Sequence, residues 1–141
     1  MKSPSINDST INAYFNANYY VIAEQPFYIK IGQKSKPLQD YCFKNNYQSA
    51  VFVTGYNPFS KIATDKLNLL AHNKLKLMLN NMDIELILCT ASDLEKDWPD
   101  EVGVLALDIT LQEGKVIGNI FKQNAIVWIP DSWVPKIELL R

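Results

Sequence analysis

The residue pattern predicts an α+β (α/β) fold: one mixed β-sheet of about six or seven strands with helices packed on it. Three observations carry that expectation. Ala50–Thr54 is an unbroken apolar run of strand length, as for a strand buried on both faces. Thr64 to Met82 repeats its apolar residues at helical spacing behind a good N-cap. Strand-like and helix-like stretches then alternate along 141 residues, of which 48% are hydrophobic and 21% charged. That is enough apolar material for one core, so residues 1–141 are expected to form a single globular domain.

Taken in order, Ser9–Ala17 reads as a short helix with Ile11, Tyr14 and Phe15 on one face. Tyr20–Ile22 and Phe27–Ile31 read as strands, joined as a hairpin through Glu24, Gln25 and Pro26. Gly32 ends the second strand, and Pro37 suits the first turn of a helix whose apolar face is Leu38, Tyr41 and Cys42. Asn45 and Asn46 can close that helix in a left-handed conformation. After Ala50–Thr54 comes a loop, Gly55–Ile62, and then the long helix, capped by Thr64 with Asp65 against its dipole. Its expected inner stripe is Leu67, Ala71, Leu75, Met78 and Met82. Ile84–Cys89 is the next buried strand. Ser92 and Glu95 have the spacing of a capping box and predict a short helical turn. Val102–Leu107 is a strand. Thr110 and Glu113 form a second capping box before a helix expected to bury Val116, Ile117, Ile120 and Phe121. Ala125–Ile129 is a strand, Pro130–Ser132 a turn, and Lys136–Leu140 a final strand, expected at a sheet edge.

Helices join the strands ending at Ile31, Thr54 and Cys89, so these strands are expected to run parallel through crossovers. No long helix separates Cys89 from Val102, so the chain should turn back there. Four segments are then expected to meet at one sheet edge: Gly32–Ser35, Gly55–Ser60, Trp98–Glu101 and Gln123–Asn124. Ligands in open α/β sheets favour the carboxyl ends of strands.

The net charge of −1 excludes a nucleic-acid binder held by bulk charge, and Arg141 is the only arginine available for a bidentate phosphate contact. The longest apolar runs, Val102–Leu107 and Ala125–Ile129, fall far short of the about 20 residues that span a membrane. Asn7, Asp8, Asn12, Asn16 and Asn18 near the start do not resemble a secretory pattern, so a cytoplasmic location is expected. Cys42 and Cys89 form no CxxC, and His72 is the one histidine. Both cysteines are expected as reduced, buried small hydrophobes, with no metal site and no cofactor.

Among the candidate residues, Glu101 follows Trp98 by three positions, and an aromatic neighbour can desolvate a carboxylate and raise its pKa, as general acids and bases require. The alternative is a solvated loop glutamate, or one bonding to backbone amides of the Asn-Pro loop. Asn57-Pro58 is first a turn signal, with the residue before proline pushed toward extended backbone, and second a ligand contact. Gln123 and Asn124 offer two amides, each a donor and an acceptor, which can pin neighbouring loops or read a small polar ligand. Lys34, ahead of a helix N-terminus, could hold an anion, although the glycine frame of a P-loop is absent. Tyr56 completes the rim. His72 lies one turn after Asn68 on the long helix, with no nucleophile paired to it. Asp93, Glu95 and Asp97 alternate like a calcium loop, but Trp98 stands where that loop needs glycine. Trp128 is expected in the core and Trp133 at the surface.

The same segments resemble a bacterial family known as domain of unknown function 3293. The cues are Ile31-Gly32 followed by Ser35 to Leu38, Thr54-Gly55-Tyr56-Asn57-Pro58-Phe59-Ser60, Asn68, Trp98-Pro99-Asp100-Glu101, and Phe121-Lys122-Gln123-Asn124-Ala125-Ile126-Val127. The similarity runs from about Ala13 onward; it departs from the family pattern at Gly55, where alanine is usual, and at Val102-Gly103. The resemblance implies fold and site location, and no activity.

The expected function is a small-ligand-binding module with a polar site at the sheet edge, lined by Asn57, Glu101, Gln123 and Asn124 with Lys34 and Tyr56 near its rim. The alternatives are a protein-interaction adaptor with an exposed patch near Trp133, and an enzyme using Glu101 as general acid or base.

Overall fold

The computed structural model describes residues 6–141. Residues 1–5, the start of the segment that lacks a secretory pattern, lie outside the described residues. The element order is as the sequence predicts: α1 (Asp8–Asn16), β1 (Ala17–Val21), β2 (Phe27–Ile29), α2 (Lys36–Asn45), β3 (Ala50–Thr54), α3 (Asp65–Asn81), β4 (Leu86–Asp93), β5 (Glu101–Leu107), α4 (Leu111–Ile120), β6 (Ala125–Ile129) and β7 (Lys136–Leu139). Local chemistry sets the helix ends. Asn7, Ser35 and Thr64 cap α1, α2 and α3 by accepting a backbone N–H, and Thr110 and Glu113 form a reciprocal box at α4. Asn46 closes α2 at φ 64°, the left-handed conformation that asparagine tolerates.

The strands form one seven-stranded sheet in the order β2-β1-β4-β5-β3-β6-β7. Every pairing is antiparallel, which corrects the expected mixed sheet. The helix-linked strands do run parallel to one another: β2, β3 and β4 share a direction, as do β5 and β6. Each such pair is separated by at least one strand of opposite sense, so the crossovers never make parallel neighbours. The sheet curls. The segments after β2 and before β7, at opposite sheet edges, bond to each other through Gly32 N–H to Pro135 O (2.9 Å) and Ser35 N–H to Trp133 O (2.8 Å).

Alternate side chains then serve two cores. Inside the curl, Tyr19, Val21, Ile29, Phe52, Leu105, Leu107, Val127 and Ile129 pack with Leu38 and Cys42 of α2. On the outer face, Val51, Val53, Val104, Ala106 and Ile126 meet Leu75 and Leu79 of α3 and Ile117 of α4. Both cysteines are buried and free. Trp133 belongs to the inner core at 1% exposure, against the expected surface position, because the turn after Pro130 folds it back against Phe43.

Two helix faces also differ from expectation. α3 buries Asn68, His72, Leu75 and Leu79, while Leu67 is 58% and Met82 44% exposed. α4 buries Gly114, Ile117 and Gly118, and leaves Val116 and Ile120 exposed. The glycines let α4 lie close on the sheet: a Cβ on Gly118 would come within 2.7 Å of Leu140 Cδ1 and 2.8 Å of Ile126 Cγ2. Finally, β4 continues through Asp93, so the box expected at Ser92 is replaced by a turn built on the Asp93 carboxylate, which accepts the N–H groups of Glu95 and Asp97. Among the described residues, no helix is long and apolar enough to cross a membrane.

Candidate functional site

The site begins where β3 runs out. Thr54 donates its hydroxyl to Val102 O (2.7 Å) and accepts Tyr56 N–H (3.0 Å), which turns the chain away from the sheet. Gly55 then passes against α3, where a Cβ would stand 3.1 Å from Ala71. Asn57 follows at φ 49°, ψ 63°, left-handed and not the extended conformation expected before proline. Pro58–Ser60 form one tight helical turn in which Phe59 and Ser60 are also left-handed, both at φ 57°. Three departures of this kind within four residues are held by the surroundings, since each costs on the order of 1 kcal/mol or more.

Asn57 is 2% exposed and is the hub of that holding network. Its backbone N–H donates to Asn68 Oδ1 (2.9 Å). Its Oδ1 accepts from Ala63 N–H (2.9 Å) and Asn68 Nδ2 (3.0 Å). Its Nδ2 donates to Glu101 Oε2 (2.8 Å), which also accepts the indole N–H of Trp98 (3.1 Å). Glu101 is thus fixed through one oxygen, while Oε1 has no protein partner among the described residues. Burial pushes the Glu101 carboxyl above its usual range, and the hydrogen bonds from Asn57 and Trp98 oppose that shift.

The β6 side is braced by amides. Gln123 Nε2 donates to Tyr56 O (3.0 Å) and Phe121 O (3.2 Å), and its Oε1 has no partner among the described residues. Asn124 Nδ2 donates to Ser60 Oγ (2.8 Å), and its Oδ1 accepts Arg141 Nε (2.8 Å). Arg141 also lies over the Phe59 ring, 4.2 Å from its centroid. From above, α1 brings Tyr14 Oη to 3.2 Å from Ser60 Oγ, and Tyr19 Oη donates to Tyr14 O (3.2 Å) at the helix end. Burial raises the Tyr14 phenol, so it stays protonated at neutral pH.

These elements border an open-mouthed cavity of about 640 Å³ between α1, the β4–β5 turn and the upper inner face of the sheet. Asn57, Glu101 and Gln123 line it, with Tyr14, Ser60 and Trp98. Three of the four segments expected at this edge do meet there. The fourth does not: Gly32–Ser35 is drawn to Trp133 and Pro135, which leaves Lys34 exposed and away from the cavity. Asn124 and Tyr56 stand behind the lining, Asn124 as a brace on Ser60 and Tyr56 with its ring edge-on to His72. Sequence reasoning missed Tyr14 and Ser60 as lining residues and Asn68 as the partner of Asn57. Burial lowers the His72 imidazole, with Lys76 adding to the shift, and its Nδ1 is buried without a partner.

The family described as "Protein of unknown function (DUF3293)" matches residues 53–126, just over half of the chain. Asn57, Asn68, Glu101, Gln123 and Asn124 all fall within the match, whereas the Ile31–Leu38 cue lies outside it. No curated protein and no solved structure gives a significant match.

Proposed function

The chain belongs to the DUF3293 family, which carries no assigned activity, and from its site we propose that the protein binds a small molecule in the cavity beneath α1. The observation that carries this reading is the division of labour within Glu101. One oxygen is fixed by two donors, while the other has no protein partner among the described residues, and Glu101 lines the cavity. Burial disfavours the charged carboxyl, and a ligand that supplies a donor to the free oxygen offsets that cost. The cavity volume falls within the range that small-molecule sites occupy.

A second reading, acid–base catalysis, draws on the same desolvated carboxyl. Its weakness is the rest of the constellation. Ser60 Oγ is bonded to Tyr14 and Asn124, neither of which is a base, so no activated nucleophile stands beside Glu101.

The test is a thermal-shift screen of the full chain against nucleotides, sugar phosphates, amino acids and amines. A ligand of the cavity raises the melting temperature by mass action. The reading expects at least one class to do so, with the shift lost in Gln123→Ala at unchanged fold. Hits that survive Gln123→Ala and also Glu101→Gln would remove the cavity from consideration. Catalysis would add turnover of the hit that Glu101→Gln abolishes while binding persists.

A further inference from the structure

We infer that the ligand of this cavity is an organic cation, a protonated amine or guanidinium carrying an apolar or aromatic body; the inference rests on the binding reading above. Four acidic residues line the cavity, Asp93, Glu95, Asp97 and Glu101, and among the described residues no lysine, arginine or histidine does. The asymmetry is local, because the whole chain has a net charge of only −1. Among the described residues, Lys96 and Arg141 each have partners of their own. Lys96 Nζ, which does not line the cavity, donates to Ser92 Oγ (3.3 Å), and Arg141 is occupied by Asn124, Gln123 O and the Phe59 ring.

The acids differ in depth. Glu95 and Asp97 are exposed on the rim, where they make the mouth negative and draw cations toward it. Asp93 is occupied by its own turn. Glu101 lies deeper, with Oε1 open. Gln123, 7% exposed, adds a second open acceptor, since its nitrogen is already tied to two carbonyls. Two acceptors suit an ammonium or guanidinium, which offers several donors and no acceptor. An anion or an acceptor-rich sugar phosphate would meet the wrong partners. The α1 side of the wall is polar, with Ser9, Thr10 and Asn12, but four aromatic residues, Tyr14, Tyr19, Phe52 and Trp98, line the same space and can take an apolar body or face a cation. A bare metal ion fits less well. Among the described residues, no three His, Cys, Asp or Glu side chains gather as a metal cluster, and the cavity is much larger than one ion.

The experiment is a calorimetric titration of the full chain with matched probes: phenethylamine and agmatine as cations, 2-phenylethanol as the neutral analogue, and 3-phenylpropionate as the anion. The inference expects the cations to bind at least about tenfold more tightly than both analogues. It also expects Glu101→Gln to lose about tenfold or more of that affinity. The Trp98 indole N–H, which donates to Glu101, is an NMR reporter in the unaltered protein, identified by its loss in Trp98→Phe, and should shift on adding phenethylamine. This keeps the test decisive if Glu101→Gln does not fold. Binding of 2-phenylethanol or 3-phenylpropionate in preference to the amines overturns the ligand class and leaves the binding reading standing. Amine binding that ignores Glu101→Gln and leaves the Trp98 resonance unmoved, but falls in Glu95→Gln with Asp97→Asn, is rim attraction and overturns it too. No binding of any probe, together with a blank thermal screen, overturns both.

Discussion

Asn57 uses its backbone N–H and both ends of its amide at once, and no other amino acid offers that set in a left-handed conformation. Asn57→Ala leaves Ala63 N–H, the Asn68 amide and Glu101 short of partners while keeping the unfavourable φ. We expect a loss of about 2–4 kcal/mol of stability by urea denaturation. Asn57→Asp is isosteric and keeps the acceptor, but it sets a carboxylate against Glu101 Oε2. It should destabilise more at neutral pH than in mild acid, where one of the pair is protonated. Equal losses at both pH values would mean that the Asn57–Glu101 contact does not form. Much of this was legible in the sequence. An Asn-Pro turn at a strand end and a glutamate beside a tryptophan are local signals, and they pointed to Asn57 and Glu101. Asn68 is different: its role depends on which side of α3 faces the sheet, and no local pattern reports that.

At the scale of elements, α3 shows how the signal was lost. Its true inner face is Asn68, His72, Leu75 and Leu79, turned by about 70° from the expected stripe Leu67, Ala71, Leu75, Met78 and Met82, with which it shares only Leu75. Leu70 and Leu77 lie opposite that inner face and are 52% and 59% exposed, so apolar residues occur on both sides and blur the period. The inner face also carries two polar residues because it borders the site. In α4 the blur has another cause: Gly114 and Gly118 lie inward, and a hydrophobicity pattern does not count glycine as a contact. Glycine positions make a graded prediction. At Gly103 a Cβ would stand 2.6 Å from Val53 O, a sheet backbone atom that cannot give way, and 2.9 Å from Phe52. Gly103→Ala should cost about 3 kcal/mol. At Gly118 the nearest atoms are the Leu140 Cδ1 methyl, a movable side-chain end, and the Ile126 Cγ2 methyl, and alanine gains about 1 kcal/mol of helix propensity. Gly118→Ala should therefore cost well under half as much in the same urea measurement, and a reversed order would contradict the packing described. For α1, Tyr14→Phe removes one of two hydrogen bonds that hold the helix over the cavity. Faster amide exchange confined to Asp8–Asn16 is expected, with little change in global stability.

At the scale of the whole molecule, chain direction was legible and neighbourhood was not. Short links imply hairpins and helical links imply strands of like sense, and both hold. Which strand inserts between two others is decided by long-range packing, so an all-antiparallel sheet arises from a sequence that suggests crossovers. The curl that draws Gly32–Ser35 to the far edge follows from the same global arrangement, and it explains why Lys34 leaves the site. The fold also places two perturbed groups on either side of the Asn57 loop, and their effects on stability have opposite signs. The Glu101 pKa is raised, so its contribution is complete below the ordinary carboxylate range and is lost as pH rises through the raised value. The His72 pKa is lowered, so its contribution is complete above the ordinary imidazole range and is lost as pH falls through the depressed value. Urea denaturation from about pH 4 to 8 on the unaltered protein, Glu101→Gln and His72→Gln separates them. Relative to the unaltered protein, Glu101→Gln should gain stability as pH rises, because it keeps an acceptor for Asn57 and Trp98 without an ionisable group. His72→Gln should gain as pH falls. The other titratable groups lining the cavity are Tyr14 and Tyr19, which stay protonated throughout this range, and Asp93, Glu95 and Asp97, which both variants retain. Curves that run parallel for all three proteins would mean that Glu101 and His72 titrate as they do in the unfolded chain. The carboxyl would then be solvated, and the desolvated acceptor from which the ligand reading starts would be gone.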